Sequence, residues 1–117
     1  MRPTFTAAVA ASFASLLGCA APAPAEDVRQ LRAAGAPVID VRSPEEWAEG
    51  HLEASTLVPL PELAGRLAEV QALLGGDKTK PVIVVCRSGA RAEKARAILL
   101  ENGFFNVKNA GGWTSLK

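Results

Sequence analysis

The run Pro81-Val82-Ile83-Val84-Val85 constrains the fold more than any other part of the chain. Its four consecutive β-branched residues favour a strand. Because none of the four is polar, other elements must cover both faces of this strand. A strand buried on both faces is typical of a parallel sheet that carries helices on its two sides. We therefore expect this strand to lie in the centre of such a sheet.

Weaker patterns on both sides of this run alternate between strand and helix. Ser43, Pro44 and Glu46 form a capping-box pattern at one helix start. Apolar periodicity and turn residues predict helices at 26–33, 44–50, 63–74 and 90–102, and further strands at 37–41, 55–60 and 104–107. Strands and helices joined by short turns predict an α/β fold, a small parallel sheet flanked by helices on both faces.

The first 25 residues have the composition of a cleavable leader. Arg2 is followed by 23 residues without a charged side chain, of which 5–17 are mostly apolar. Ala23-Pro24-Ala25 matches the small-x-small rule for signal peptidase. This pattern predicts a signal peptide at 1–25 and a folded domain at 26–117.

A lipid anchor is the alternative for the same segment. Leu16-Leu17-Gly18-Cys19 resembles a bacterial lipobox, in which residues 1–18 are removed and Cys19 becomes the lipidated first residue. A membrane-spanning helix fits less well, because a span needs about 20 strongly apolar residues and this segment is rich in Ala and contains Pro22 and Pro24. Either processing route implies export, most simply to a bacterial periplasm.

Length, charge and cysteine usage exclude several classes of protein. A chain of 117 residues fits one domain. Thirteen Lys and Arg face twelve Asp and Glu, and loss of Arg2 with the leader makes the numbers equal, so nucleic acid is not an expected partner. Two Cys and one His cannot fill the four positions of a structural zinc site without carboxylates. We expect neither a metal nor a cofactor.

The segment Cys86-Arg87-Ser88-Gly89-Ala90-Arg91 follows the buried strand and precedes a helix. Ligands bind beyond the carboxyl ends of strands in open α/β sheets. Gly89 permits a turn in which the N–H groups of Ser88 to Arg91 converge at the helix N-terminus and stabilise an anion. Cys86 is therefore predicted to be a nucleophilic thiolate, and Arg87 and Arg91 are candidate contacts for an anionic substrate. The alternative, an inert apolar cysteine at a strand end, needs neither the glycine nor the two arginines.

These features resemble a rhodanese domain, a sulfurtransferase whose loop of this length begins with a persulfide-forming cysteine. Asp40-Val41-Arg42 resembles the family's Asp-x-Arg motif, Gly50-His51-Leu52 its Gly-His-hydrophobic step, and Gly111-Gly112-Trp113 its Gly-Gly-aromatic turn, in the same order. The resemblance covers nearly all of 26–117, and with the leader it is similar to exported single-domain members. It implies transfer of sulfane sulfur from thiosulfate or a similar donor, through Cys86, to a thiol or cyanide.

The resemblance also assigns supporting roles. Asp40 is expected to hold the active-site loop instead of acting as a catalytic carboxylate, and Arg42 is expected to support the site. His51 is expected to be structural instead of a general base. Trp113 is expected either to wall the pocket mouth or to fill the core. Arg42 and Glu46 are four residues apart and placed to pair.

Two other functions use similar residues. A cysteine-based phosphatase also holds a thiolate in an anion-binding loop, but its loop places one residue more between Cys and Arg than the four found between Cys86 and Arg91. A carrier or sensor of sulfane sulfur would form the persulfide without turnover of its own. No protein partner is predicted, and a membrane is expected to be contacted only through a lipid at Cys19.

Overall fold

The structure is a computed structural model that describes residues 22–117. The candidate lipidation residue Cys19 and most of the predicted leader lie outside the described residues. Within the part of the chain that is described, no helix combines the length and hydropathy needed to cross a membrane.

Four parallel strands form one sheet. They are β1 (Val38–Asp40), β2 (Ser55–Leu57), β3 (Pro81–Cys86) and β4 (Asn106–Gly112), in the spatial order β2-β1-β3-β4. The predicted position of the apolar run is confirmed, because β3 lies inside the sheet and pairs with β1 and β4. Since all four strands are parallel, their carboxyl ends lie along the same side of the sheet, which we call its carboxyl edge. Cys86 is the last residue of β3 at this carboxyl edge.

Helices cover both faces of the sheet, as predicted. The helices are α1 (Ala25–Ala33), α2 (Pro44–Glu49), α3 (Leu60–Leu63), α4 (Leu67–Leu73) and α5 (Ala90–Glu101), and a 3-10 turn spans Trp113–Leu116. Val82, Val84 and Cys86 share one buried cluster with residues of α3, α4 and α5. Ile83 and Val85 point the other way, into a cluster with Val28 of α1 and Leu116. The alternation along β3 therefore supplies two cores.

The helix predicted at 63–74 is wrong as a single element. The structure has α3 and α4 instead, with a break at 64–66. Gly65 disfavours a continuous helix, and its N–H donates to the Glu62 carbonyl oxygen at 3.0 Å in a tighter turn. The guanidinium of Arg66 holds both sides of the break, through Glu62 at 2.9 Å and Glu69 at 2.8 Å.

The last strand also differs from the prediction of 104–107. Phe104 is buried and Phe105 is 74% exposed, but both precede β4, which pairs with β3 from Asn106 as far as Gly112. Asn and Gly are depleted in strands, so the strand signal is weak at 106–112, where pairing with β3 decides the conformation. The predicted Gly-Gly turn is consequently the end of β4, beside the cysteine loop.

Candidate active site

The sulfur of Cys86 lies at the carboxyl edge of the sheet and is held by backbone N–H groups. Cys86 is 1% exposed, and its thiol is free. The Gly89 N–H donates to Sγ at 2.9 Å and the Ala92 N–H at 3.4 Å. Both donors belong to the N-terminal end of α5, where the helix dipole also favours negative charge. Of the N–H groups expected to converge here, that of Gly89 reaches Sγ, and the Ala92 N–H, one residue beyond the expected set, joins it.

Two glycines allow β4 to approach this loop. Gly89 has a φ of +110°, and a Cβ built on it would lie 3.3 Å from the Gly111 Cα. A Cβ on Gly112 would lie 2.7 Å from the Arg87 carbonyl oxygen, closer than real Cβ atoms come. Side chains at 89 and 112 would thus push the loop away from the strand that supports it.

Asn109 is a supporting residue that the sequence did not reveal. Its buried side chain on β4 donates to the Gly89 carbonyl oxygen at 3.1 Å and to the Glu93 carboxylate at 3.2 Å. Its Oδ1 accepts the Gly111 N–H at 2.8 Å. One amide therefore ties the loop, α5 and the end of β4 together. In the sequence, the only indication of this role is that Asn109 is a polar residue between Val107 and the Gly111-Gly112 pair. The strand predicted at 104–107 ended before Asn109, so its side chain was not expected at the loop.

Arg91 is bound by a carboxylate. Its guanidinium donates to both oxygens of Glu46, at 2.7 and 3.0 Å. Glu46 is itself oriented by the predicted capping box, because Oε1 accepts the Ser43 N–H at 3.0 Å. The Arg91 hydrogen bond, followed by that of Ser43, holds the pKa of Glu46 far below its ordinary value. Hydrogen bonding to Glu46 in turn raises the pKa of Arg91.

Arg87 stands in contrast, with its side chain 78% exposed and its nearest carboxylate oxygen, on Glu46, 3.9 Å away. Ser88 and Ala90 are exposed as well. Arg87 lines a groove of about 230 Å³ whose other walls are Arg42, Glu46, Glu49, Gly50 and Trp113. Of the two arginines predicted to contact an anion, Arg87 is the one whose guanidinium is turned toward open space.

Asp40 and Arg42 form a buried pair beneath the groove. The Arg42 side chain donates to the Asp40 carboxylate at 2.8 to 3.0 Å and to the Gly50 carbonyl oxygen at 2.8 Å. Both residues are less than 5% exposed. Asp40 therefore accepts hydrogen bonds from Arg42, whereas the resemblance led us to expect that Asp40 would hold the loop that begins at Cys86. The expected pairing of Arg42 with the Glu46 carboxylate is wrong, since Arg42 reaches only the Glu46 carbonyl oxygen, at 3.3 Å.

The two aromatic positions have separate surroundings. The Arg42 guanidinium carbon lies 4.6 Å from the centroid of the Trp113 ring. The ring also packs against the core cluster that contains Val28 and lines the groove, so Trp113 combines both predicted roles. His51 stacks on Trp47 at 3.6 Å, and its Nδ1 is 2.8 Å from the Trp47 carbonyl oxygen. His51 lines a different groove, with Arg32 and Leu116. Among residues 22–117, no group of His, Cys, Asp or Glu is placed to hold a metal ion.

The comparisons with known proteins agree with this geometry. A family model described as a rhodanese-like domain matches residues 24–117. The chain belongs to the rhodanese-like domain family. It is 34% identical to the thiosulfate sulfurtransferase GlpE of Pseudomonas aeruginosa over 74% of each chain. It is 38% identical to the thiosulfate sulfurtransferase PspE of Escherichia coli, over 63% of this chain and 67% of that protein.

A solved structure described as a rhodanese with anions from E. coli has the same fold, with a TM-score of 0.62 and 34% identity over 69% of this chain and 91% of that chain. The rhodanese fold predicted from the sequence is confirmed. The relatives also confirm the predicted class of enzyme, a rhodanese-type sulfurtransferase. In rhodanese terms, the loop from Cys86 to Arg91 is this chain's candidate active-site loop.

Proposed function

We propose that this protein transfers sulfane sulfur from thiosulfate, or a donor of the same chemistry, to a thiol or cyanide through a persulfide on Cys86. The observation that carries the proposal is the pair of N–H groups on the Cys86 Sγ, at 2.9 and 3.4 Å. A cysteine that only packs the core needs no such donors. Two relatives that are named thiosulfate sulfurtransferases support thiosulfate as the donor.

In the first half-reaction, the Cys86 thiolate attacks the sulfane sulfur of thiosulfate. A sulfur–sulfur bond forms to Cys86 while the bond between the sulfane and sulfonate sulfurs breaks. The electron pair of the broken bond leaves with sulfite. The product is a Cys86 persulfide whose negative charge lies on the outer sulfur, close to the N–H groups at the start of α5.

In the second half-reaction, cyanide or a thiolate attacks the outer sulfur. The bond to the Cys86 Sγ breaks, thiocyanate or an acceptor persulfide leaves, and the Cys86 thiolate is regenerated. The backbone N–H groups stabilise the returning charge, so the same loop serves both steps. No electrons are gained or lost overall, and no redox cofactor is required.

The two arginines have different parts in this proposal. Arg87 attracts the sulfonate of the donor, because its guanidinium is exposed and lines the groove beside the loop. Arg91 is a positioning residue, since both terminal nitrogens of its guanidinium donate to Glu46. A bidentate contact of the same kind with the donor would require that ion pair to open.

The test compares the chain with its Cys86→Ser variant. A hydroxyl fits the site but cannot form a persulfide, so thiosulfate–cyanide turnover should fall to background. Thermal unfolding, measured on the same samples, should change little because Ser is close to Cys in size. Turnover that survives the substitution would place the nucleophile elsewhere, and hydrolysis of an aryl phosphate by the unmodified chain would favour the phosphatase.

A carrier or sensor of sulfane sulfur is the second candidate. It is favoured by the burial of Cys86, which is only 1% exposed and would protect a stored persulfide from solvent. Steady-state kinetics distinguish the two functions. A persulfide that forms once from thiosulfate and is not discharged by small thiols or cyanide would establish the carrier.

We also propose that the protein acts after export, most simply in a periplasm. The apolar leader ahead of the domain supports this location. Fractionation of cells that express the full chain tests it, because an exported protein is released with the periplasm, or with membranes if it carries a lipid. Recovery in the cytosol would contradict export.

A further inference from the structure

The residues just before α1 are bound to the rest of the domain. The Ala23 N–H donates to the Asn109 carbonyl oxygen at 2.7 Å. The Ala23 side chain packs against the core cluster that contains Val28, Val85 and Leu116. Pro22 Cγ lies 3.5 Å from the point that a Cβ on Gly111 would occupy. Since β4 is at the sheet edge, this segment covers part of an edge that would otherwise be unpaired.

The start of α1 depends on the same segment. Pro24 occupies the N-cap position, and its carbonyl oxygen accepts the Val28 N–H at 3.2 Å. Ala25 is the first helical residue. Cleavage after Ala25 would remove both residues and leave a positively charged amino group at the N-terminal end of the helix, where the dipole disfavours it.

From these contacts we propose that the mature protein keeps Pro22–Ala25, and that export processing cuts the chain upstream of Pro22 instead of after Ala25. A second observation agrees, because the rhodanese-like domain match begins at residue 24 and therefore extends past the Ala25 cleavage site. The small-x-small pattern at 23–25 is then part of the domain, in which Ala23 packs against the core cluster and Ala25 begins α1.

The segment also bears on the active-site loop. Asn109, whose carbonyl oxygen accepts the Ala23 N–H, uses its side chain to hold the Gly89 carbonyl oxygen at 3.1 Å. Loss of Ala23 would free one side of the strand that supports the loop. Retention of Pro22–Ala25 therefore stabilises the surroundings of Cys86 without contacting the reacting sulfur.

The test is the intact mass of the mature protein, recovered from bacteria that express the full chain with its own leader. A cleaved chain whose N-terminus lies at Pro22 or upstream supports the proposal, whether the first residue is a lipidated Cys19 or an unmodified residue. An N-terminus at Glu26, or a chain that is not cleaved, overturns it. Neither result depends on sulfur transfer, so failure of this proposal is distinguishable from failure of the proposed function.

Two proline variants of the full chain sharpen the test. Ala25→Pro places proline at the first helical position, which tolerates it, so the cleavage position and melting temperature should not change. Proline next to a peptidase site would block cleavage after Ala25, so a block caused by this variant overturns the proposal.

Ala23→Pro removes the N–H that reaches Asn109. It should lower the melting temperature by about 4 to 8 °C, the shift expected from one lost hydrogen bond in a small domain. An unchanged melting temperature contradicts the proposed packing.

Discussion

The two halves of the loop that follows β3 are built differently. Arg87 and Ser88, in the first half, are exposed, and Arg87 reaches a carboxylate oxygen only at 3.9 Å. In the second half, Gly89 is buried and bonded through its N–H to Sγ and through its carbonyl oxygen to Asn109. Arg91 is fixed by Glu46. One half of the loop is thus free to meet a substrate, and the other is immobilised against three elements.

This difference separates two tasks that a sulfurtransferase must perform. The charge on the transferred sulfur requires donors that are already oriented, since reorganisation would add to the barrier. The donor anion arrives from solvent and needs a cation that can reach it. The immobilised half supplies the first and the exposed half the second, which is why two arginines four residues apart are predicted to respond differently to mutation.

The largest effect is expected from Gly89→Ala, with Ser88→Ala as its matched control. Ala at 89 would adopt a φ of +110° and press against Gly111, and backbone strain of this kind costs about 1 to 3 kcal/mol. Displacement of the N–H that reaches Sγ should lower kcat/KM about 100-fold. Ser88→Ala, in the exposed half, should change stability by less than about 0.5 kcal/mol. Equal losses of kcat/KM in the two variants would contradict the distinction between the two halves of the loop.

Arg87→Ala tests the exposed half by itself. An arginine contact to an anion contributes about 1.5 to 3 kcal/mol, so the KM for thiosulfate should rise at least about tenfold. The rate of cyanide attack on preformed persulfide should stay nearly constant, because backbone N–H groups hold that sulfur. Stopped-flow measurement of each half-reaction gives both values, and Lys94→Ala on exposed α5 surface is the control.

Arg91→Ala sharpens the same comparison. Because Arg91 positions the loop through Glu46, its loss should slow both half-reactions to a similar degree, about two- to tenfold. A defect confined to the thiosulfate step would instead show that Arg91 leaves Glu46 and contacts the donor, as the sequence alone suggested. No effect on either step would mean that the ion pair is dispensable for the loop.

The smallest effect is expected from Glu46→Gln, and it depends on pH. The pKa of Glu46 is depressed in the folded protein, so its stabilising contribution is complete above the ordinary value of 4.5 and is lost progressively as the pH falls below it. At pH 7 the variant should be about 1 kcal/mol less stable, which lowers the melting temperature by about 4 to 8 °C. That difference should shrink as the pH falls from about 5 toward 3.

Thermal melts of the Glu46→Gln variant and the unmodified chain at each pH provide the measurement. Glu45→Gln, one residue away and exposed, should show no comparable pH dependence. A difference that stays constant with pH would mean that the Glu46 carboxylate is not the source of the stability.

The sequence predicted the parts of this site that depend on neighbouring residues. The β-branched run predicted β3, and Gly89 predicted the turn before α5. Ser43 and Glu46 predicted the capping box of α2. Each of these signals acts within a few residues, so local propensity was enough. The position of Cys86 at the carboxyl edge followed from the parallel topology.

What the sequence did not predict depends on contacts between distant segments. Glu46 and Arg91 are 45 residues apart, and the chain offers each of them several other opposite charges at shorter separations. Asn109 contacts the loop only because β4 continues past Val107, and that extension depends on pairing with β3. Partners of this kind are chosen by packing, so pattern and spacing could name the loop but not the residues that hold it.

Intact mass after incubation with thiosulfate tests the central claim most directly, that Cys86 carries the transferred sulfur. After excess donor is removed, the protein should have gained one sulfur atom, located on Cys86 by peptide mass. Cyanide should remove that sulfur and release one equivalent of thiocyanate, and Cys86→Ser should show neither gain nor release. Sulfur gained by Cys86→Ser, or steady turnover by a protein that never gains sulfur, would contradict the mechanism.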